Sequence, residues 1–118
     1  MICQQYSHQG RKKENQDSTA LYSLNKNAVM AMVADGVSTC QKPKLASEMA
    51  LSRFNEIFIQ QYSSGAASDY CMSEALNEAN NALYFEAADS RSPALLSTFS
   101  SVLFENNKAC CLHLGDTR

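Results

Sequence analysis

The chain has 118 residues, of which 45% are hydrophobic and 19% are charged, and its formal net charge is -2. This length suffices for one domain that buries about two-thirds of its unfolded surface. Because the net charge is slightly negative, the chain lacks the excess of basic residues that favours binding to nucleic acid or to an anionic membrane. We therefore expect neither partner.

The residues at the start of the chain lack the apolar core of a secretory signal, and no stretch is long enough to cross a bilayer. We therefore expect a cytoplasmic protein. An odd number of cysteines without Cys-x-x-Cys spacing predicts reduced thiols, with neither a disulfide framework nor a zinc site. These cysteines are Cys3, Cys40, Cys71, Cys110 and Cys111.

Three short strands are predicted in the first third of the chain, at Cys3 to Ser7, Ser18 to Leu24 and Ala28 to Ala34. The last two flank Asn25-Lys26-Asn27, which is typical of a hairpin turn. The segment from Gln9 to Asp17 is too polar for a core strand, so we expect an exposed connection whose side chains are free for chemistry.

Two amphipathic helices are predicted next. Pro43 suits a first helical turn, and an apolar stripe at three-four spacing then runs to about Tyr62. After the loop from Ser63 to Ser68, a second helix is predicted. Ser68 or Asp69 can cap its start, and its apolar stripe ends near Arg91-Ser92-Pro93. The two stripes are Leu45, Ala46, Met49, Ala50, Phe54, Ile57 and Phe58, and Met72, Ala75, Leu76, Ala79, Ala82 and Leu83.

Two further strands are predicted at Leu95 to Phe104 and Lys108 to Leu114, with Glu105-Asn106-Asn107 as their turn. The order is then three strands, two helices and two strands. A helix pair between hairpins predicts an α+β fold with a mostly antiparallel sheet.

The dipeptide Asp35-Gly36 directly follows the apolar run from Ala28 to Ala34. A carboxylate at a strand end is held rigidly, and glycine allows a sharp turn that exposes its carbonyl oxygen. Magnesium, manganese and calcium prefer such hard oxygen donors. Since Asp-Gly is also a common turn dipeptide, both a metal site and a plain turn are consistent with this pair alone.

Two more aspartates lie at strand borders: Asp17 in Asn15-Gln16-Asp17, and Asp116 in Gly115-Asp116-Thr117-Arg118. If their strands are neighbours, the carboxylates of Asp17, Asp35 and Asp116 would converge and would repel unless cations neutralise them. In an unrelated α+β domain the same three residues would be turn residues on different faces.

Four motifs in this order resemble those of the metal-dependent type 2C Ser/Thr protein phosphatases, the PPM family, and most of all its bacterial members. They are Asn-Gln-Asp at 15–17, Val-Ala-Asp-Gly-Val at 33–37, Ala-Ser-Glu-Met-Ala at 46–50 and Gly-Asp-Thr-Arg at 115–118. The resemblance covers Gly10 to Arg118. It implies a β-sandwich flanked by helix pairs, of which residues 1–118 form a single N-terminal portion with the order β-β-β-α-α-β-β.

The resemblance also implies a binuclear manganese or magnesium centre with a third, weaker site. Asp35 would bridge the two ions and the Gly36 carbonyl would be a further ligand. Asp17 would lie in or next to the metal shell, and Asp116 would help to hold the weaker ion. Lys12, with Arg11 adjacent, would bind the substrate phosphate, although these residues also fit a solvated basic loop.

The implied activity is hydrolysis of phosphoserine and phosphothreonine in proteins by a metal-bound water. The implied partners are phosphorylated proteins, with a Ser/Thr kinase and its substrates. Because family members are longer and their second half supplies further aspartates, we expect a fragment that is weak or inactive alone and whose exposed strand edges can pair.

Two departures favour another function. Gln16 stands where the family usually has glutamate, and Ser38 to Lys42 replaces a glycine-rich stretch. These differences suggest the alternative of a non-catalytic phosphatase-like module that binds a phosphoprotein or a kinase partner.

Overall fold

The chain folds into a four-stranded antiparallel sheet with two long helices on one of its faces. The computed structural model describes residues 2–91 and 93–117. The strands β1 to β4 lie in sequence order across the sheet, so β1 and β4 are its edges. The elements are β1 (Asp17–Asn25), β2 (Ala28–Asp35), α1 (Pro43–Ser63), α2 (Ser68–Asp89), β3 (Phe99–Glu105) and β4 (Lys108–Leu114). The predicted α+β class with a helix pair on an antiparallel sheet is confirmed.

Strand β2 shows how the sheet separates its two faces. Ala28, Met30, Met32 and Ala34 are at most 4% exposed, whereas the residues between them are only half-buried. Because side chains alternate along a strand, the buried set points to the helices and Asp35 points to the opposite, outer face. The carboxylate predicted to bind metal is therefore on the side away from the helices.

The helices form the other layer of the core. The predicted apolar stripes are largely correct, but Leu45, Met49 and Ile57 are half-buried, whereas Ser47 and Leu51 are buried. This difference arises because α1 contacts both the sheet and α2, and so buries a wide face. The rings of Phe54 and Phe99 join α1 to β3, with centroids 4.5 Å apart.

The predicted strand from Cys3 to Ser7 is wrong. These residues form no strand, and the side chains of Ile2 and Tyr6 are 93% and 84% exposed. Within the described ranges, nothing pairs with the free edge of β1, so neither backbone pairing nor burial stabilises an extra strand. The observed order is therefore β-β-α-α-β-β.

The strand predicted from Leu95 begins later, at Phe99. Before this strand, Ser97 pairs with Gly36 through an isolated bridge. Gly36 lies directly after the end of β2 at Asp35 and is not part of the strand. Both predicted hairpin turns are present. Asn106 and Asn107 have φ of 50° and 62°, as the twist of a two-residue hairpin loop requires.

All five cysteines are free thiols. Neither of the two helices in the described part of the chain is long and apolar enough to cross a membrane.

Candidate metal centre

Asp17 and Asp35 face each other at one end of the sheet. Asp17 begins β1, Asp35 ends β2, and the two residues are direct partners in the antiparallel register. Opposed residues of such a pair have Cβ atoms about 4.5 to 5.5 Å apart. The structure thus brings together two of the three aspartates singled out in the sequence.

The surroundings of Asp35 disfavour its negative charge. Burial raises the pKa of the Asp35 carboxyl, and the neighbouring carboxyl of Asp17 raises it further through a hydrogen bond and through charge repulsion. The charge of Asp116 adds to this effect, while that of Lys12 opposes it. Two carboxylates and one ammonium therefore act on the Asp35 carboxyl, with an excess of negative charge that a cation would neutralise.

Asp116 and Lys12 approach the pair from two separate loops. Asp116 is exposed in the segment that follows β4, next to Gly115 with φ of 94°. Lys12 is exposed in a turn in which its N–H donates to the carbonyl of Gln9 at 3.2 Å. Arg11 is also exposed and forms no hydrogen bond or ion pair with the described residues, so the loop brings Lys12 rather than Arg11 into electrostatic range of Asp35.

Gly36 is required by close packing and not by a turn. A Cβ atom at this position would lie 1.8 Å from the carbonyl oxygen of Pro43, the first residue of α1. The φ of Gly36 is not positive, and the backbone turns only at Ser38 and Thr39. The interpretation of Asp35-Gly36 as a plain turn is therefore wrong.

The backbone of Gly36 is also tied to the segment that leads into β1. Its N–H donates to the carbonyl of Gln16 at 3.1 Å. The residue that carries the third predicted oxygen donor is thus bonded to the residue directly before Asp17.

Two hydroxyl residues that the sequence did not single out hold the Asp35 backbone. Thr98 accepts the Asp35 N–H at 3.0 Å through Oγ1 and donates its own N–H to the Asp35 carbonyl at 2.9 Å. Ser97 Oγ donates to the same carbonyl at 3.2 Å. Thr98 Oγ1 is also hydrogen-bonded to Thr117 Oγ1, so it connects Asp35 to the segment that carries Asp116.

Gln16 uses its side chain to fasten the loop that follows Gly36. Its Oε1 accepts a hydrogen bond from Ser38 Oγ at 2.7 Å. The amide adds no charge to the acid pair. Gln16 is therefore a structural link between β1 and the loop from 37 to 42.

The oxygen donors at this site are of the type that magnesium and manganese prefer, but they are too few to complete a metal site. The Asp17 and Asp35 carboxylates and the Gly36 carbonyl are hard oxygen donors. Among residues 2–91 and 93–117, however, no group of three or more His, Cys, Asp or Glu side chains is arranged to hold a metal ion. The described residues thus offer hard oxygen donors without a complete set of ligands for a metal ion.

The comparisons with known proteins identify the family of the chain. The profile of the family described as Protein phosphatase 2C matches residues 4–118. No curated protein matches the chain significantly.

Six chains among the solved structures match. One is the Mycobacterium tuberculosis serine/threonine phosphatase PstP/Ppp, with 19% sequence identity and a TM-score of 0.71. The match covers 91% of the present chain and 43% of the mycobacterial chain, so the present chain spans less than half of that protein. Because the family profile matches almost every residue, the chain belongs to the protein phosphatase 2C family.

Proposed function

We propose that the protein containing this chain is a metal-dependent phosphatase that hydrolyses phosphoserine and phosphothreonine in proteins. The observation that carries the proposal is the facing pair of Asp17 and Asp35, whose charges are left partly unneutralised. Membership of the protein phosphatase 2C family supports it, as does the likeness to a mycobacterial protein titled a serine/threonine phosphatase.

We further propose that residues 1–118 are the amino-terminal portion of the catalytic domain. The match covers 43% of the mycobacterial chain, and among the described residues Asp17 and Asp35 face each other without a complete set of metal ligands around them. The outer face of the sheet, with Val29, Ala31 and Val33 half-buried on β2 alone, also suits a second layer. The isolated portion would then be weak or inactive.

In this proposal manganese or magnesium ions are held by Asp35, by the Gly36 carbonyl and by Asp17, with Asp116 at a third, weaker site. When bound, such ions would supply acidification of a water molecule and its orientation toward the phosphoryl group. Asp35 would be a rigidly held ligand, because Thr98 fixes its backbone from both the N–H and the carbonyl side.

The substrate phosphate would contact the basic loop. Lys12 lies close enough to influence Asp35, so its ammonium can neutralise phosphoryl oxygens as their charge develops. Arg11 is next to it and offers a bidentate fork, where lysine offers a point charge. The partners would be phosphorylated proteins and the Ser/Thr kinase that produces them.

The test uses the complete gene product and a phosphothreonine peptide, with phosphate release measured in the presence of Mn²⁺. Asp35→Asn should abolish turnover and should weaken Mn²⁺ binding measured by calorimetry. Asp89→Asn is the matched control, because Asp89 is exposed at the end of α2. Normal turnover by Asp35→Asn would refute the proposed role of Asp35.

The second candidate is a non-catalytic phosphatase-like module that binds a phosphoprotein or a kinase partner. It is favoured by Gln16, which is neutral and engaged with Ser38 Oγ. In that case the complete gene product would bind a phosphopeptide without hydrolysing it and would bind Mn²⁺ poorly. Gln16→Glu, which adds a charge and keeps an acceptor for Ser38, would then strengthen Mn²⁺ binding.

A further inference from the structure

The first two turns of α1 lie directly behind the strand ends that carry the acid pair. Ser47 is fully buried, and its hydroxyl is 2.7 Å from the carbonyl oxygen of Gln16 and 2.8 Å from the hydroxyl of Ser18. Burying a hydroxyl is unfavourable unless it is hydrogen-bonded. The Ser47 hydroxyl also lies 3.1 Å from the Lys44 carbonyl oxygen of its own helix. Ser47 is therefore a polar residue at a core position that is bonded both within α1 and to the segment carrying Asp17.

The Gln16 carbonyl has a second donor, which is the N–H of Gly36 at 3.1 Å. One oxygen thus joins Ser47 on the helix to the backbone of both proposed metal-binding segments. Gly36 is further confined by the Pro43 carbonyl, which leaves no space for a Cβ atom. A shift of this helical turn would move the Gly36 backbone and the Asp17 backbone together.

Lys44 provides a second connection from the same turn. Its Nζ donates to the Asp17 carbonyl at 2.8 Å and to Ser18 Oγ at 3.2 Å. Glu48 lies 3.7 Å from the same ammonium and forms an i,i+4 ion pair with it. The lysine therefore holds the backbone of the proposed ligand Asp17 and not its carboxylate, which stays available for a metal ion.

We infer that Ser47 and Lys44 are positioning residues for the metal centre and that they set its metal affinity through the backbone of residues 16–17 and Gly36. The inference rests on the proposed function. Residues that orient metal ligands typically change metal affinity by about 10- to 100-fold when they are removed. Neither residue would contact the metal or the substrate.

The first experiment compares Ser47→Ala with Ser101→Ala in the complete gene product. Both serines are buried, but Ser101 Oγ has no hydrogen-bond partner within the described residues. Ser47→Ala should weaken Mn²⁺ binding, measured by calorimetry, at least about 10-fold. Ser101→Ala should leave the affinity unchanged. Excess Mn²⁺ should restore much of the turnover of Ser47→Ala, because the variant is weakened in metal affinity.

The second experiment uses the partly exposed Lys44, so that the test remains decisive if Ser47→Ala does not fold. Lys44→Met removes the donor to Asp17 and should weaken Mn²⁺ binding, and Lys44→Arg should recover much of it. Glu48→Gln removes only the ion pair and should bind Mn²⁺ like the wild type. The outcomes separate the two proposals. Absence of Mn²⁺ binding by the wild type overturns the proposed function, whereas tight binding by the wild type and equally by Lys44→Met overturns the positioning role.

Discussion

Thr98 is hydrogen-bonded to Asp35 twice, because its side-chain Oγ1 accepts the Asp35 N–H at 3.0 Å and its own N–H donates to the Asp35 carbonyl at 2.9 Å. Thr98→Val keeps the shape of the side chain but leaves the Asp35 N–H without its acceptor. An unsatisfied buried donor costs about 1 to 3 kcal/mol. Urea unfolding should show a loss of stability of this size.

Thr19→Val is the control for that experiment. Thr19 is half-buried on β1, opposite Val33, and its hydroxyl makes no hydrogen bond to the described residues. Its replacement should leave the free energy of unfolding nearly unchanged. Equal losses for Thr98→Val and Thr19→Val would show that the bond to Asp35 contributes nothing.

Gly36→Ala should destabilise the protein severely, because the new Cβ would overlap the Pro43 carbonyl at 1.8 Å. Relief requires a shift of the start of α1 or of the end of β2, and we expect a cost of at least about 3 kcal/mol. Gly65→Ala meets nothing within 4 Å and suffers only from its φ of 86°, which costs about 1 to 2 kcal/mol. Thermal and urea unfolding would measure the loss of stability of both variants. A Gly36→Ala protein as stable as Gly65→Ala would contradict the packing argument.

The sequence predicted both hairpins and both helices, because alternation, three-four spacing and turn residues are local signals. The meeting of Asp17 with Asp35 followed only on the condition that their strands are neighbours, which the structure shows. The strand prediction was wrong for Cys3 to Ser7, because this segment has no neighbouring strand to pair with among the described residues. Strand formation depends on such long-range pairing, which a local pattern does not contain.

The residues that support the acid pair were harder to find from sequence. Thr98 and Ser47 contact it from positions 63 and 31 residues away from Asp35 and Gln16, respectively. Ser47 carried one usable signal, since it is a polar residue next to Ala46 on the apolar stripe of α1. The sequence does not show why residue 36 is glycine, because the reason is the close packing of the start of α1 against Gly36.

A carboxylate at the other end of the sheet makes stability depend on pH. Glu105 accepts hydrogen bonds from Tyr62 on α1 and, at 2.7 Å, from Ser68 on α2, and these bonds lower the pKa of Glu105. The stabilisation is therefore complete above the ordinary value of 4.5 and is lost as pH falls through the lower folded value. Tyr62→Phe should cost about 1 kcal/mol at pH 7 and progressively less below pH 4.5.

The same bond raises the pKa of Tyr62, with Glu105 as the largest cause. Its contribution is thus full below pH 10 and is lost as pH rises through the higher folded value. Tyr84→Phe serves as control, since Tyr84 is 71% exposed. A difference between wild type and Tyr62→Phe that stays constant from pH 7 to pH 3 would contradict this account.

Lys12→Gln should raise the KM for a phosphopeptide roughly tenfold, which corresponds to about 1.4 kcal/mol of lost binding free energy. The reason is that the positive charge of Lys12 acts on the carboxyl of Asp35 in the acid pair. Lys13→Gln removes the same charge from the next residue of the exposed loop and should change KM little. Equal effects of the two variants, both disappearing at high salt, would instead indicate a solvated basic loop.

Asp35→Asn should have opposite effects on stability and on metal binding. In EDTA, removing the charge relieves the cost of burial and the repulsion from Asp17 and Asp116, so the free energy of unfolding of the complete gene product should rise. With Mn²⁺ added, the wild type should gain stability by ligand binding and the variant should not. Asp89→Asn should follow the wild type in both conditions. A less stable Asp35→Asn protein in EDTA would mean that the carboxylate stabilises the fold itself, so that the acid pair would not be a site kept ready for a cation.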